Sequence, residues 1–91
     1  MFTGIIEELA EVISVTQKGG NLDLVVKSNM TNELKIDQSV SHNGVCLTVV
    51  EIEGNTYTVT AIEETLNRTN IGLLQAGDAI NLERCTQIGA R

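Results

Sequence analysis

Aromatic residues are almost missing from this sequence. Phe2 and Tyr57 are the only two, so a planar ligand must be gripped chiefly by aliphatic side chains, backbone amides and hydroxyls rather than by ring stacking. One histidine and two distant cysteines cannot supply the three or four converging ligands a structural or catalytic metal needs, and no metal is expected. Neither a Walker pattern nor a Gly-x-Gly-x-x-Gly run occurs, so nucleotide hydrolysis is not suggested. Basic residues are scarce as well: 6 Lys and Arg stand against 12 Asp and Glu, for a net charge of -6. That balance repels phosphate backbones and anionic headgroups, and it argues against nucleic acid and membrane as partners. The opening Met1-Phe2-Thr3-Gly4-Ile5-Ile6-Glu7-Glu8 has no basic or apolar leader segment, and no run approaches a membrane span; a cytoplasmic location is expected. In such a compartment Cys46 and Cys85 are read as reduced thiols. Two Asn-x-Thr acceptor patterns, at Asn29 and Asn67, then carry no chemistry.

What is present fits a single small domain over residues 1–91, since a chain of this length is too short for two ordinary cores. Its hydrophobic content of 42% supports a core with little stability to spare, which a partner surface would help. Ile6 to Thr16 is rich in β-branched and aliphatic residues, and Gln17-Lys18-Gly19-Gly20 makes a turn before Leu22, Leu24 and Val26 alternate with Asp23 and Val25. Asn29 to Leu34 suits a helical turn. Val45 to Ile52, a Gly54-Asn55 turn and Thr56 to Ile62 form the clearest hairpin. Glu63 to Arg68 is expected to be a short helix, acidic at its start and basic at its end. After a turn over Leu74 to Asp78, Ala79 to Arg84 alternates again. Six short strands, one or two helical turns and no proline predict an all-β barrel rather than an open sheet. No internal repeat is visible.

Chemistry-bearing residues are few. His42 lies in a polar stretch, Ser39 to Asn43, read as a turn running into a strand, and is expected to be structural. Cys46 and Thr48 share one face of the following strand because strand side chains repeat every second residue; from spacing alone Cys46 is read as packing. Glu64-Thr65 could bind hydroxyls of a polyol or merely cap the short helix.

Three segments taken together, Met1 to Ile5, Ser41-His42-Asn43-Gly44-Val45-Cys46-Leu47-Thr48-Val49, and Glu64-Thr65-Leu66-Asn67-Arg68-Thr69-Asn70-Ile71-Gly72, resemble the riboflavin synthase family in order and spacing. The resemblance runs from Met1 to about Arg84. It implies a six-stranded Greek-key barrel that is the first of two similar barrels, the second being followed in the family by a trimerising helix. It implies a reaction in which a four-carbon unit passes between two molecules of 6,7-dimethyl-8-ribityllumazine to give riboflavin, with no metal or redox cofactor. Chemically the protein must hold two heteroaromatic rings close and antiparallel and assist loss of an acidic methyl proton. By resemblance, Thr3, Gly4, Ile5 and Ile6 line the ring. Ser39 or Ser41, Cys46, Leu47 and Thr48 flank it, with Ser39, Ser41, Cys46 and Thr48 as the catalytic set. Thr60, Ala61, Ile62, Glu64 and Thr65 take the ring edge and ribityl hydroxyls. The chain differs from some relatives at Val45, where a second cysteine can stand, and at Thr60, where an acidic residue can.

The implied function is therefore a lumazine- and flavin-binding half of a transferase, with little or no turnover as an isolated barrel. The alternative is a non-catalytic binding module like the lumazine proteins. The full-length enzyme is expected to be a homotrimer. The isolated barrel is expected to homodimerise, because the surface normally covered by the second barrel would otherwise stay exposed.

Overall fold

Strands dominate the computed structural model, which describes residues 8–84. In chain order they are β1 (Glu8–Lys18), β2 (Asn21–Lys27), β3 (Ser39–His42), β4 (Val45–Glu53), β5 (Thr56–Ala61) and β6 (Ala79–Arg84). One short helix, α1 (Glu63–Arg68), and 3₁₀ turns at Thr31–Glu33 and Ile71–Leu73 complete the regular structure. Every strand pairs antiparallel with two neighbours, and the sheet closes in the order β1-β2-β5-β4-β3-β6. Hairpins join β3 to β4 and β4 to β5, and a long connection carries β6 back beside β3, which is a Greek key. Closure satisfies the edges that an open sheet would expose.

The period of two decides what lies inside. Val12, Leu24, Val26, Val40, Val49, Val59, Ile80 and Leu82 have no solvent-accessible surface, each alternating with an outward neighbour. β-branched residues suit this half-buried pleated surface, and each full burial contributes roughly 1.5–3 kcal/mol. Met30 and Leu34, from the turn after β2, and Ile71, from the connection after α1, join the same core.

The expected strands and the 63–68 helix are present, with one correction. Ser39–His42, read as a polar turn, is strand β3. Its inner positions are Val40 and His42, and an imidazole on the inner face disguises the apolar period. The turn itself is Asn43-Gly44, with φ of 52° and 88°, the left-handed pair that a two-residue type I′ hairpin needs.

The backbone has an internal correspondence that the sequence does not display. Val12 donates its N–H to Asp78 O and accepts from Gly77 N; Val49 donates to Gln38 O and accepts from Asp37 N. The pairing register slips immediately after each valine, between Val12 and Ser14 and between Val49 and Glu51. Asp37 and Gly77 both adopt positive φ, 74° and 96°. The side chains of Gln38 and Asp78 accept from Lys35 N and Gln75 N at 2.9 and 2.8 Å. A pseudo-twofold thus exchanges β1-β2-β3 with β4-β5-β6. It carries the Cys46–Ser41 pair onto Leu9–Asn81, and Thr48–Ser39 onto Glu11–Ala79. The frame repeats, and the side chains placed on it do not.

Candidate functional site on the outer face of the barrel

One half of this pseudo-symmetric frame carries hydroxyl and thiol groups on its outer surface. Ser41 pairs with Cys46 and Ser39 with Thr48 across β3 and β4. Thr48 pairs with Thr60 across β4 and β5, and Thr60 with Asp23 across β5 and β2. These residues face outward because Val40, Leu47, Val49, Val59 and Ala61 between them are buried in the core. The symmetry-related positions hold Leu9, Glu11, Asn81 and Ala79, so of these two equivalent sets of positions only one carries the hydroxyl and thiol pairs.

Cys46 and Thr48 are exposed. Ser41 points outward yet is only 1% accessible, because it lies in a recess of about 440 Å³ shared with Asn43, Gly44, Asn70, Asn81 and Glu83. Two hydrogen bonds fix the rim of that recess. Asn43 N donates to Asn81 O at 2.9 Å, and Asn81 N donates to Asn43 Oδ1 at 2.8 Å. The left-handed backbone of Asn43 turns its own side chain into a substitute for a ladder partner. Sequence reasoning missed Asn70, Asn81 and Glu83. A faint signal exists, since Asn81 and Glu83 alternate with Ile80 and Leu82, but only closure of β6 onto β3 brings them beside Ser41.

At the other end of the stripe Thr60 Oγ1 donates to Asp23 Oδ1 at 2.7 Å. The second oxygen of Asp23 is 3.2 Å from Lys18 Nζ. Beyond Thr60 the chain leaves β5 through exposed Ile62 and enters α1, whose first turn is held by Asn21 Oδ1 accepting from Glu63 N at 3.3 Å. Glu64 is exposed and paired with Arg68 one helical turn on, at 3.2 Å. Thr65 is half-buried, and its carbonyl accepts from Thr69 Oγ1.

The structure therefore gathers Ser39, Ser41, Cys46, Thr48 and Thr60 on one surface, with Ile62, Glu64 and Thr65 following at its edge. The side chains of Leu47 and Ala61 turn inward, 4% and 0% accessible, because they alternate with outward Cys46, Thr48 and Thr60, so these two residues face that surface with backbone alone. Thr3, Gly4, Ile5 and Ile6 lie outside the described residues.

His42 faces the opposite way, into the barrel. Its Nδ1 lies 2.9 Å from Val40 O, and a carbonyl only accepts, so Nδ1 carries the proton. Nε2 then accepts from Tyr57 Oη, also at 2.9 Å. Burial pulls the imidazole down to about 4, against the opposing effect of the Val40 bond. Burial, and then the charge of Glu8, push the Tyr57 phenol up. Both groups stay neutral and serve the core. Among the described residues no group of three or more His, Cys, Asp or Glu side chains could hold a metal ion, and no helix is long and apolar enough to cross a membrane.

Comparison with known proteins places this geometry in a family. The lumazine binding domain matches residues 3–85. Riboflavin synthase of Escherichia coli (strain K12) is 42% identical over 89 residues, 96% of this chain and 42% of that protein. Riboflavin synthase of Mycobacterium tuberculosis (strain ATCC 25618 / H37Rv) is 40% identical over 93 residues, 100% of this chain and 46% of that one. The chain thus spans about half the length of the curated relatives it matches. The structure of LumP complexed with 6,7-dimethyl-8-(1'-D-ribityl) lumazine superposes with a TM-score of 0.87 at 22% identity, over 100% of this chain and 51% of that one. LumP complexed with riboflavin gives 0.85 at 22% identity, over 98% and 51%. At that identity the likeness establishes the fold. Because the family match runs through all six strands, and enzymes at 42% identity align along 96% of the sequence, the chain belongs to the lumazine binding domain family.

Proposed function

We propose that this barrel binds 6,7-dimethyl-8-ribityllumazine and riboflavin on the outer face of β3, β4 and β5, and that it is the first-barrel half of a riboflavin synthase. The observation that carries this reading is the in-register stripe Ser41, Cys46, Thr48 and Thr60, present on only one of the two pseudo-equivalent faces. With two aromatic residues in the chain, aliphatic and backbone contacts from Thr3, Gly4, Ile5 and Ile6 would complete the grip on the ring. Leu47 and Ala61 contribute backbone there. Glu64 and Thr65, at the exit from β5, suit ribityl hydroxyls, since a carboxylate offers several acceptor sites to a polyol.

In the full enzyme one such ring would receive a four-carbon unit from a second, held by the other barrel of a neighbouring subunit. Cys46, Thr48, Ser39 and Ser41 are the hydroxyls and thiol on this wall that can hold a nucleophile or water and help carry away the methyl proton. The isolated barrel supplies one wall only, so turnover by it is slight. Fluorescence titration tests the binding half of the proposal. Saturation near one riboflavin or lumazine per chain, with turnover restored by adding a second barrel, is the expected result; no saturable binding of either compound would reject it.

The same reading carries a quaternary expectation: a homodimer of the isolated barrel, a homotrimer of the full-length enzyme, and a cytoplasmic setting. Exposed Leu9, Val50 and Ile62 on the outer surface support burial against another barrel. Sedimentation showing a monomer at high concentration would reject the homodimer. A second reading, a binding module without catalysis, draws on the fold shared with the LumP complexes. Ligand saturation with no turnover after complementation would favour it.

A further inference from the structure

Threonine hydroxyls are ordinarily ambivalent, able to donate or accept, and therefore say little about what they recognise. Thr60 is different. Its single proton is given to Asp23 Oδ1 at 2.7 Å, and a carboxylate only accepts. Asp23 is held in place through its other oxygen by Lys18 at 3.2 Å, and its side chain is 19% exposed. The register adds a second constraint. Asp23 and Thr60 are Cα partners on the outer face, so the acceptor and the hydroxyl stay side by side without help from a loop. Thr60 is consequently left with lone pairs alone to offer a ligand.

We infer that Asp23, held by Lys18, is a positioning residue that makes Thr60 an obligate acceptor for the ring N–H lying between the two carbonyls of the lumazine or flavin. This rests on the ligand reading given above. The planar ring presents acceptors along most of its polar edge and a donor at that one nitrogen. A committed acceptor therefore rewards one orientation of the ring and opposes those that place a carbonyl against Thr60, where two acceptors would meet. Orientation matters to the proposed chemistry because it decides which edge of the ring is turned towards Cys46 and Ser41.

The test compares riboflavin with 3-methylriboflavin, in which the N–H is replaced by N–CH₃, by fluorescence titration of the whole chain. The native protein is expected to prefer riboflavin by roughly tenfold, the effect of one lost hydrogen bond in a partly desolvated site. Asp23→Asn lets a carboxamide donate to Thr60 and turns the hydroxyl proton outward, so the preference shrinks towards unity. Thr60→Val removes it altogether. Thr60→Ser, which keeps both the hydroxyl and Asp23, preserves it. A general loss of folding would weaken both ligands alike and leave the ratio unchanged, so the ratio reports positioning. Equal binding of the two compounds by the native chain overturns the inference while leaving the ligand reading intact. A preference that persists unchanged in Asp23→Asn also overturns it, since the discrimination would then be steric. Failure of riboflavin itself to saturate the native chain rejects the ligand reading, and the inference falls with it.

Discussion

His42 and Leu82 are Cα partners where β3 meets β6, and the pseudo-twofold axis of the barrel passes between them. Both are wholly buried. The pair thus places an imidazole and an isobutyl group at equivalent inner positions, and Tyr57 Oη closes the polar side of the asymmetry by donating to His42 Nε2.

The buried imidazole makes stability depend on pH. His42 titrates near 4 in the fold against an ordinary value of 6.5, so the unfolded chain binds the extra proton first as pH falls. Stability is whole above about 6.5 and is lost progressively down to about 4, by about 3 kcal/mol. Unfolding free energies from urea titrations at about pH 7 and about pH 5 should differ by about 2 kcal/mol more in the native chain than in His42→Gln. Identical differences in the two proteins would refute the assignment.

Glu8 ties the start of β1 to the turn after β2. Its carboxylate accepts from Ser28 Oγ at 2.8 Å, Asn29 N at 2.7 Å and Met30 N at 3.2 Å. Truncation in Glu8→Ala leaves those donors without that acceptor and should cost about 2–3 kcal/mol. Hydrogen exchange at the Met30 amide should accelerate beyond what global destabilisation explains, because that turn seals one part of the core with Met30 and Leu34. Unchanged exchange at Met30 would mean the clamp does not hold in solution.

The pseudo-twofold predicts matched energetics from unmatched sequence. Val12 and Val49 are equally inaccessible and make the same pair of backbone bonds beside the same register slip. Val12→Ala and Val49→Ala should each cost about 2 kcal/mol and agree within about 0.5 kcal/mol. A clear disparity in denaturant midpoints would show that packing, rather than backbone frame, governs these sites.

Cys46 offers a probe of where ligand sits. It is exposed on the stripe, so iodoacetamide should label it readily in the ligand-less chain. Saturating riboflavin should slow that labelling several-fold, as covering an exposed thiol excludes the reagent. Labelling that is indifferent to riboflavin would move the ligand away from β4.

Much of the barrel was legible because each strand buries one face against a single core. Leu22, Leu24 and Val26 alternate cleanly with Asp23 and Val25, and Thr56 to Ala61 does the same, so period two marks the strands directly. β3 escaped that reading for a physical reason. It is four residues long, and one of its two inner positions is a histidine whose hydrogen bonds, invisible in one dimension, make it acceptable in the core.

The site was legible only in part. Cys46 and Thr48 share a face whatever the fold, since two positions along a strand point the same way. Leu47 and Ala61, drawn into the site by resemblance, obey the same rule and therefore point inward.

The features legible in one dimension are local: strand periodicity, the short acidic-to-basic helix, the shortage of aromatics and metal ligands, and the placing of Cys46 and Thr48 on one face of a strand. Which strands become neighbours was decided only by the closed sheet. Closure sets Ser41 against both Cys46 and Glu83, joins Asn43 to Asn81, and commits the Thr60 proton to Asp23 across 37 positions of chain. Such contacts depend on register between distant segments, and register is fixed by the burial of a whole inner face at once rather than by any residue alone.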